Sequence, residues 1–176
     1  MPQRRCKRML TVLGIDPGLQ ATGYALVSGD RGGFHLLREG VIRPHPETLE
    51  GRLWDLYREI KQVLWEAPPD LVALEDVFSH RYYPKAALLL GHARGVICLA
   101  SAERGVRVET LPPAEVKRAL VGNGRASKLQ VQRAVQRLAG LPEPPPTHVA
   151  DAIAVALTAL SRSGARLTLS REEVRR

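Results

Sequence analysis

The sequence predicts an α/β domain: a five-stranded mixed sheet flanked by helices on both faces. Three observations predict it. The first quarter of the chain alternates short β-rich segments with tight turns. Beyond it, apolar residues recur at spacings of three and four, the period of amphipathic helices. Between those helical stretches, short apolar runs return as strands. The resulting order, β-β-β-α-β-α-β-α-α-α, builds a layered sheet with helices on its faces. With 176 residues, 44% of them hydrophobic, the chain can fill one core, which excludes wholesale disorder.

Residues 10–15 form the first strand, stopped at Asp16-Pro17-Gly18. A second strand fits residues 23–28 and a third residues 34–42, with a Gly-rich turn between them. Links this short predict an antiparallel meander. Over residues 47–66, Leu49, Leu53, Leu56, Ile60, Val63 and Leu64 mark an amphipathic helix that Pro68-Pro69 ends. The continuous apolar run at 71–74, capped by Glu75-Asp76, reads as a buried parallel strand. A helix rich in Ala and Leu covers 84–103, and a fifth strand covers 106–110. Pro112-Pro113 opens a short helix to about residue 120, and Ser127 starts another through 138. A proline-rich crossing at 142–146 leads to a last helix, with Thr147 as its expected N-cap, reaching about residue 161.

Charge narrows the function classes. Lys and Arg total 26 against 18 Asp and Glu, a net +8. That excess suits a polyanion such as nucleic acid, though a solvated basic face explains it equally well. Part of it lies at the ends, in Arg4, Arg5, Lys7, Arg8, Arg171, Arg175 and Arg176. No apolar run reaches the roughly 18 residues of a membrane span, and no signal-peptide pattern follows the basic start. Cys6 and Cys98 make neither a disulfide scaffold nor a zinc knuckle. The expectation is a reduced, cytoplasmic protein without a membrane partner.

The informative feature is where acids fall against apolar elements. Asp16 ends the first strand and Glu75 the fourth, while Asp151 stands directly before the apolar run at 152–157. A carboxylate at the edge of a core wants a cation or hydrogen-bond donors. If strands one and four are parallel neighbours, Asp16 and Glu75 emerge side by side at their carboxyl ends. Three hard oxygen donors suit Mg²⁺ or Mn²⁺. Each acid alone also has a plain role, as turn residue, strand exit or helix-dipole partner. His148, three residues before Asp151, shares its helix face, as a ligand, an acid–base group or part of a cap. Of the other histidines, His92 is expected to pack mid-helix, and His35, His45 and His80 sit in ordinary strand or loop contexts. The turn after the first strand also resembles the phosphate loop of sugar-kinase and actin-type ATPases. Those need a duplicated domain that 176 residues do not supply, and there is no P-loop.

The motifs as a set carry a resemblance. Gly14-Ile15-Asp16-Pro17-Gly18 with Thr22-Gly23-Tyr24, then Leu74-Glu75-Asp76-Val77-Phe78, resemble the RuvC family of bacterial Holliday junction resolvases. Ala93-Arg94-Gly95-Val96, Glu115-Val116-Lys117-Arg118-Ala119, the segment 127–132 and the segment 150–156 follow in the same order. The likeness runs from about residue 10 to 162, leaving a basic arm at 1–9 and a tail at 163–176 outside a single nuclease domain.

The resemblance implies an RNase H-like fold and a homodimer that cuts four-way DNA junctions symmetrically, in recombination and repair. It implies that Asp16, Glu75 and Asp151 are three of four metal-binding acids, with His148 at the fourth position, where many members have Asp. Two Mg²⁺ or Mn²⁺ ions per site are implied, one activating water and one stabilising the leaving 3′ oxygen, which gives 5′-phosphate ends. Lys117 and Lys128 match lysines near the scissile strand, and Phe78 matches an aromatic that stacks on bases. Arg81 and Arg125 are further expected DNA contacts. Work with the branch-migration proteins RuvA and RuvB is implied by the family alone. The rival expectations are an RNase H-like nuclease on RNA–DNA hybrids or structured RNA, and a junction-binding protein without activity. The outer face of the helix at 84–103 is a candidate dimer contact, although core burial explains its apolar character as well.

Overall fold

The computed structural model describes residues 9–76 and 84–169. The meander forms as expected. Strands β1 (Leu10–Asp16), β2 (Thr22–Asp30) and β3 (Gly33–Ile42) pair antiparallel in sequence. β4 (Leu71–Glu75) and β5 (Arg107–Leu111) add on the other side of β1, each parallel to its neighbour, giving the order β3-β2-β1-β4-β5. A bulge between Leu26 and Val27 shifts the β2–β3 register.

Alternation along the strands divides the core into two layers. Leu13 and Ile15 of β1, with Val72 and Leu74 of β4, face α1 (Leu49–Glu66) and α2 (Pro84–Glu103) through Leu56, Ile60, Leu64 and Ile97. Val12, Leu71 and Ala73 face the opposite way, onto α5 (Thr147–Arg162). Helices α3 (Pro113–Val121) and α4 (Lys128–Leu138) close over α5 through Val116, Val131 and Val135. Each fully buried Leu or Ile contributes about 1.5–3 kcal/mol of transfer free energy. α5 therefore sits between sheet and helices, and every residue from 149 to 160 except Asp151 is buried.

Capping follows local chemistry. Thr48 accepts from the Gly51 N–H at the start of α1. Ser127 and Gln130 form a reciprocal capping box on α4. The last helix departs from expectation: Pro146 occupies the N-cap position of α5, no side chain caps it, and Thr147 is its first helical residue. The fixed φ of proline sets the entry, so Thr147 is already inside the first turn. His92 is exposed rather than packed, because α2 buries Ala93, Ile97 and Ala100 instead.

By length and composition, residues 85–103 of α2 would also suffice to cross a membrane, contrary to the expectation from apolar runs. Its inner face packs on α1 and the sheet, while Leu88 and Leu99 stand exposed on the outer face. At the far end of the chain, the first residues beyond α5 return to the sheet. The Arg166 N–H donates to the Asp30 carbonyl, the Phe34 N–H donates to the Thr168 carbonyl, and Leu169 bridges to Phe34.

Candidate active site

Strand register brings the first two acids together. Ile15 of β1 pairs with Leu74 of β4, so Asp16 and Glu75 are the next residues of two parallel neighbours. Adjacent strands lie about 4.8 Å apart. Alternation turns Ile15 and Leu74 toward α1 and α2, and thereby turns Asp16 and Glu75 toward α5. The first turns of α5 meet them there with His148 and Asp151.

Contacts tie these groups. His148 Nδ1 lies 2.7 Å from Asp16 Oδ2. An ionised carboxylate only accepts, so the imidazole donates through Nδ1, and Nε2 is the nitrogen left for a ligand. Lys128 Nζ lies 3.8 Å from Asp151 Oδ2. Asp16 and Asp151 keep about a fifth of their side-chain surface, at 20% and 21%, while Lys128 is open at 79%. An exposed lysine beside recessed carboxylates is well placed to meet a phosphate backbone.

Electrostatics couple the three acids. Burial holds all three above the ordinary carboxylate range. Asp151 and Asp16 push Glu75 further up, and Asp16 does the same to Asp151. Lys117 and Lys128 oppose the rise at Glu75 and Asp151, and His148 opposes it at Asp16. The site is an electronegative recess bordered by cations.

This has a measurable consequence. An acid whose pKa rises on folding contributes stability that is complete below its unfolded value and is lost as pH climbs through the folded one. The window opens near pH 4, upward from the ordinary values of 3.8 for Asp and 4.5 for Glu. Glu75→Gln removes one of the repelling charges. In chelator at neutral pH, this variant is expected to melt above wild type, with the gap closing toward pH 4. Calorimetry across that range checks it. A gap that is constant with pH means that the charge at Glu75 costs the fold nothing.

Most expected site residues are assembled. Asp16, Glu75, Asp151, His148, Lys117 and Lys128 are joined by contact or by electrostatic coupling. Arg125 is exposed in the α3–α4 loop just before Lys128, and its N–H donates to Asn123 Oδ1 at 3.0 Å. Phe78 and Arg81 lie outside the described residues. Sequence reading missed a role for Arg94, whose guanidinium donates to the Glu75 carbonyl and, at 3.2 Å, to Thr110 Oγ1. The one signal was its place in the Ala93–Val96 motif.

A family model described as crossover junction endodeoxyribonuclease RuvC matches residues 12–159. A crossover junction endodeoxyribonuclease RuvC from Rhodopirellula baltica is 47% identical over 148 residues, covering 83% of each chain. One from Koribacter versatilis is 45% identical over 157 residues, covering 88% of this chain and 94% of its own. Among solved structures, Thermus thermophilus RuvC in complex with Holliday junction substrate superposes with a TM-score of 0.80 at 36% identity, covering 89% of this chain and 98% of its own. RuvC structures have the RNase H-like fold, and this sheet with its flanking helices shares it. By family model, relatives and fold, the chain belongs to the RuvC family of crossover junction endodeoxyribonucleases.

Proposed function

We propose that this chain is an endodeoxyribonuclease that resolves four-way DNA junctions by nicking opposing strands symmetrically, with Mg²⁺ or Mn²⁺ held by its acids. The observation that carries this reading is the meeting of Asp16, Glu75 and Asp151 on one face, with two lysines at its border. The family's junction complex supports the choice of substrate.

The donor set fits hard divalent ions: burial raises all three carboxylates, and repulsion from neighbouring acids adds to the rise at Glu75 and Asp151. Among the described residues, no three His, Cys, Asp or Glu side chains are already gathered as a cage. Like charges in a recess repel, and Lys128 supplies part of the missing countercharge. Asp16, Glu75, Asp151 and the Nε2 of His148 are the groups that would hold the ions. The chemistry such ions supply when bound is polarisation of a water and of the leaving 3′ oxygen, which leaves 5′-phosphate ends.

The chain's own residues do the rest. Lys117 and Lys128 bring positive charge to the scissile phosphate, and Arg125 extends the basic border along the strand. Phe78 and Arg81 are assigned to bases and backbone near the crossover, on the family resemblance. A two-fold substrate calls for a two-fold enzyme, and the exposed Leu88 and Leu99 of α2 offer the apolar face for a homodimer. A link to RuvA and RuvB follows from the same resemblance.

The test is a cleavage panel of four-way junction, linear duplex and RNA–DNA hybrid, each with Mg²⁺, Mn²⁺ or chelator. The expected result is paired, symmetric nicks in the junction, only with metal, at two protomers per junction. Preference for the hybrid would make the chain an RNase H-like nuclease of another specificity. Tight junction binding with no nicks in either metal would make it a junction-binding protein.

A further inference from the structure

Glu75 stands at the very end of a strand, although it must hold a fixed place. The β1–β4 register ends one residue earlier, at Ile15–Leu74. On the β1 side, the backbone of Glu75 is thus past the last paired position. On the other side, Glu75 pairs with Leu111, and the Asp76 N–H donates to the Leu111 carbonyl at 2.8 Å. Glu75 is the last residue of β4. A strand end frays more easily than its middle, and the carboxylate it carries would move with it.

Arg94 answers this from a different element. It sits on α2, next to the buried Ala93, and is itself half-buried. Its guanidinium reaches over the end of the sheet and donates to the backbone carbonyl of Glu75. A second nitrogen of the same fork donates to Thr110 Oγ1 on β5 at 3.2 Å. One planar group thereby ties α2, the last residue of β4 and Thr110 of the neighbouring strand β5. Charge-assisted bonds of this kind are about twice as strong as neutral ones, and the rigid fork fixes direction as well as distance. The cations that act on the Glu75 carboxylate are Lys117 and Lys128. Arg94 meets the same residue at its main chain.

We infer that Arg94 is a positioning residue for the reaction: by clamping the Glu75 carbonyl to α2 and to Thr110, it fixes where the Glu75 carboxylate stands opposite Asp16 and Asp151. The inference rests on the reading of these acids as the metal-holding group. A carboxylate displaced by about 1 Å costs a reacting centre on the order of a hundredfold, even when the change lies behind it.

The experiment compares Arg94→Ala, Arg94→Lys and Thr110→Val with wild type and with Asp16→Asn. Mn²⁺ binding to the free protein is followed by electron paramagnetic resonance. Junction affinity and the single-turnover nicking rate are measured alongside. Arg94→Ala is expected to nick about 10–100-fold more slowly at saturating junction and to bind Mn²⁺ more weakly, with junction affinity within about twofold of wild type. Arg94→Lys, which keeps one charged donor, is expected to recover part of both losses. Thr110→Val removes only the outer half of the clamp, so a smaller shift in the same direction is expected even if Arg94→Ala folds poorly.

Wild-type Mn²⁺ binding and nicking in the folded Arg94 variants would overturn the inference. So would loss of junction affinity with Mn²⁺ binding intact, which would make Arg94 a DNA contact. Asp16→Asn separates the two layers. If it too binds Mn²⁺ like wild type, the metal assignment has failed; if it binds weakly while the Arg94 variants do not, only the clamp has.

Discussion

Asp16→Asn, Glu75→Gln and Asp151→Asn should each nick a four-way junction on the order of 100- to 1,000-fold more slowly than wild type while binding it as tightly or more tightly. The two halves of this result have separate origins. Affinity for DNA comes from neutralised phosphates, which the proposed function assigns to Lys117, Lys128 and Arg125. Removing a carboxylate takes nothing from that account and relieves repulsion between the recess and the backbone. Nicking depends on the negative recess itself. Burial holds the three acids above their ordinary range, and repulsion adds to it at Glu75 and Asp151, a condition that a divalent cation would relieve. An amide of the same shape keeps the packing and withdraws the charge. Single-turnover cleavage with gel-shift binding separates the two. Nicking at the wild-type rate by any of the three would remove that acid from the mechanism, and by all three would end the nuclease assignment of this recess.

How much of this was legible in the sequence depends on whether the signal is local. β1 and β4 announce themselves because a buried strand is a run of apolar residues, and the acid that ends each run is read with it. Asp151 is legible for a related reason: it interrupts a helix otherwise buried from 149 to 160, so only something beyond packing accounts for its presence. The pairing of His148 with Asp16 was half legible. Helical spacing places His148 beside Asp151, but the partner 132 residues away is set by how α5 crosses β1. Arg94 was not legible as a positioning group, because its acceptor is a backbone carbonyl, and one carbonyl looks like any other in a sequence. The cap of α5 was misread because Thr147 favours the N-cap position, whereas proline at 146 sets the helix entry one residue earlier. His92 was misread because α2 is apolar nearly all round, so its period does not tell which face turns inward.

The glycines beneath α5 lead to the other large effect. Gly14 and Gly23 have no positive φ, so backbone torsion does not require them. Space does. A Cβ on Gly14 would lie 2.2 Å from the Ala152 carbonyl oxygen and 2.6 Å from the Ala156 nitrogen. One on Gly23, the residue paired with Asp16, would lie 2.0 Å from the His148 carbonyl oxygen. These are main-chain atoms of a helix and cannot rotate aside, so the helix itself must lift. Beneath Gly14 that lift strains the middle of the most buried helix, against the sheet on one side and α3 and α4 on the other. Gly14→Ala is therefore expected to cost about 3 kcal/mol or more, at the upper end of overpacking, read as a lower denaturant midpoint at unchanged slope. Gly23 lies under the first turn, which can splay at smaller cost. Its price falls on chemistry, because that turn carries His148, and Asp151 follows it. Gly23→Ala is expected to remain folded, to bind junction, and to nick about 10–100-fold more slowly. If instead Gly23→Ala nicks like wild type, the first turn of α5 has slack, and the 2.7 Å contact between His148 and Asp16 does not depend on the close seat of helix on strand.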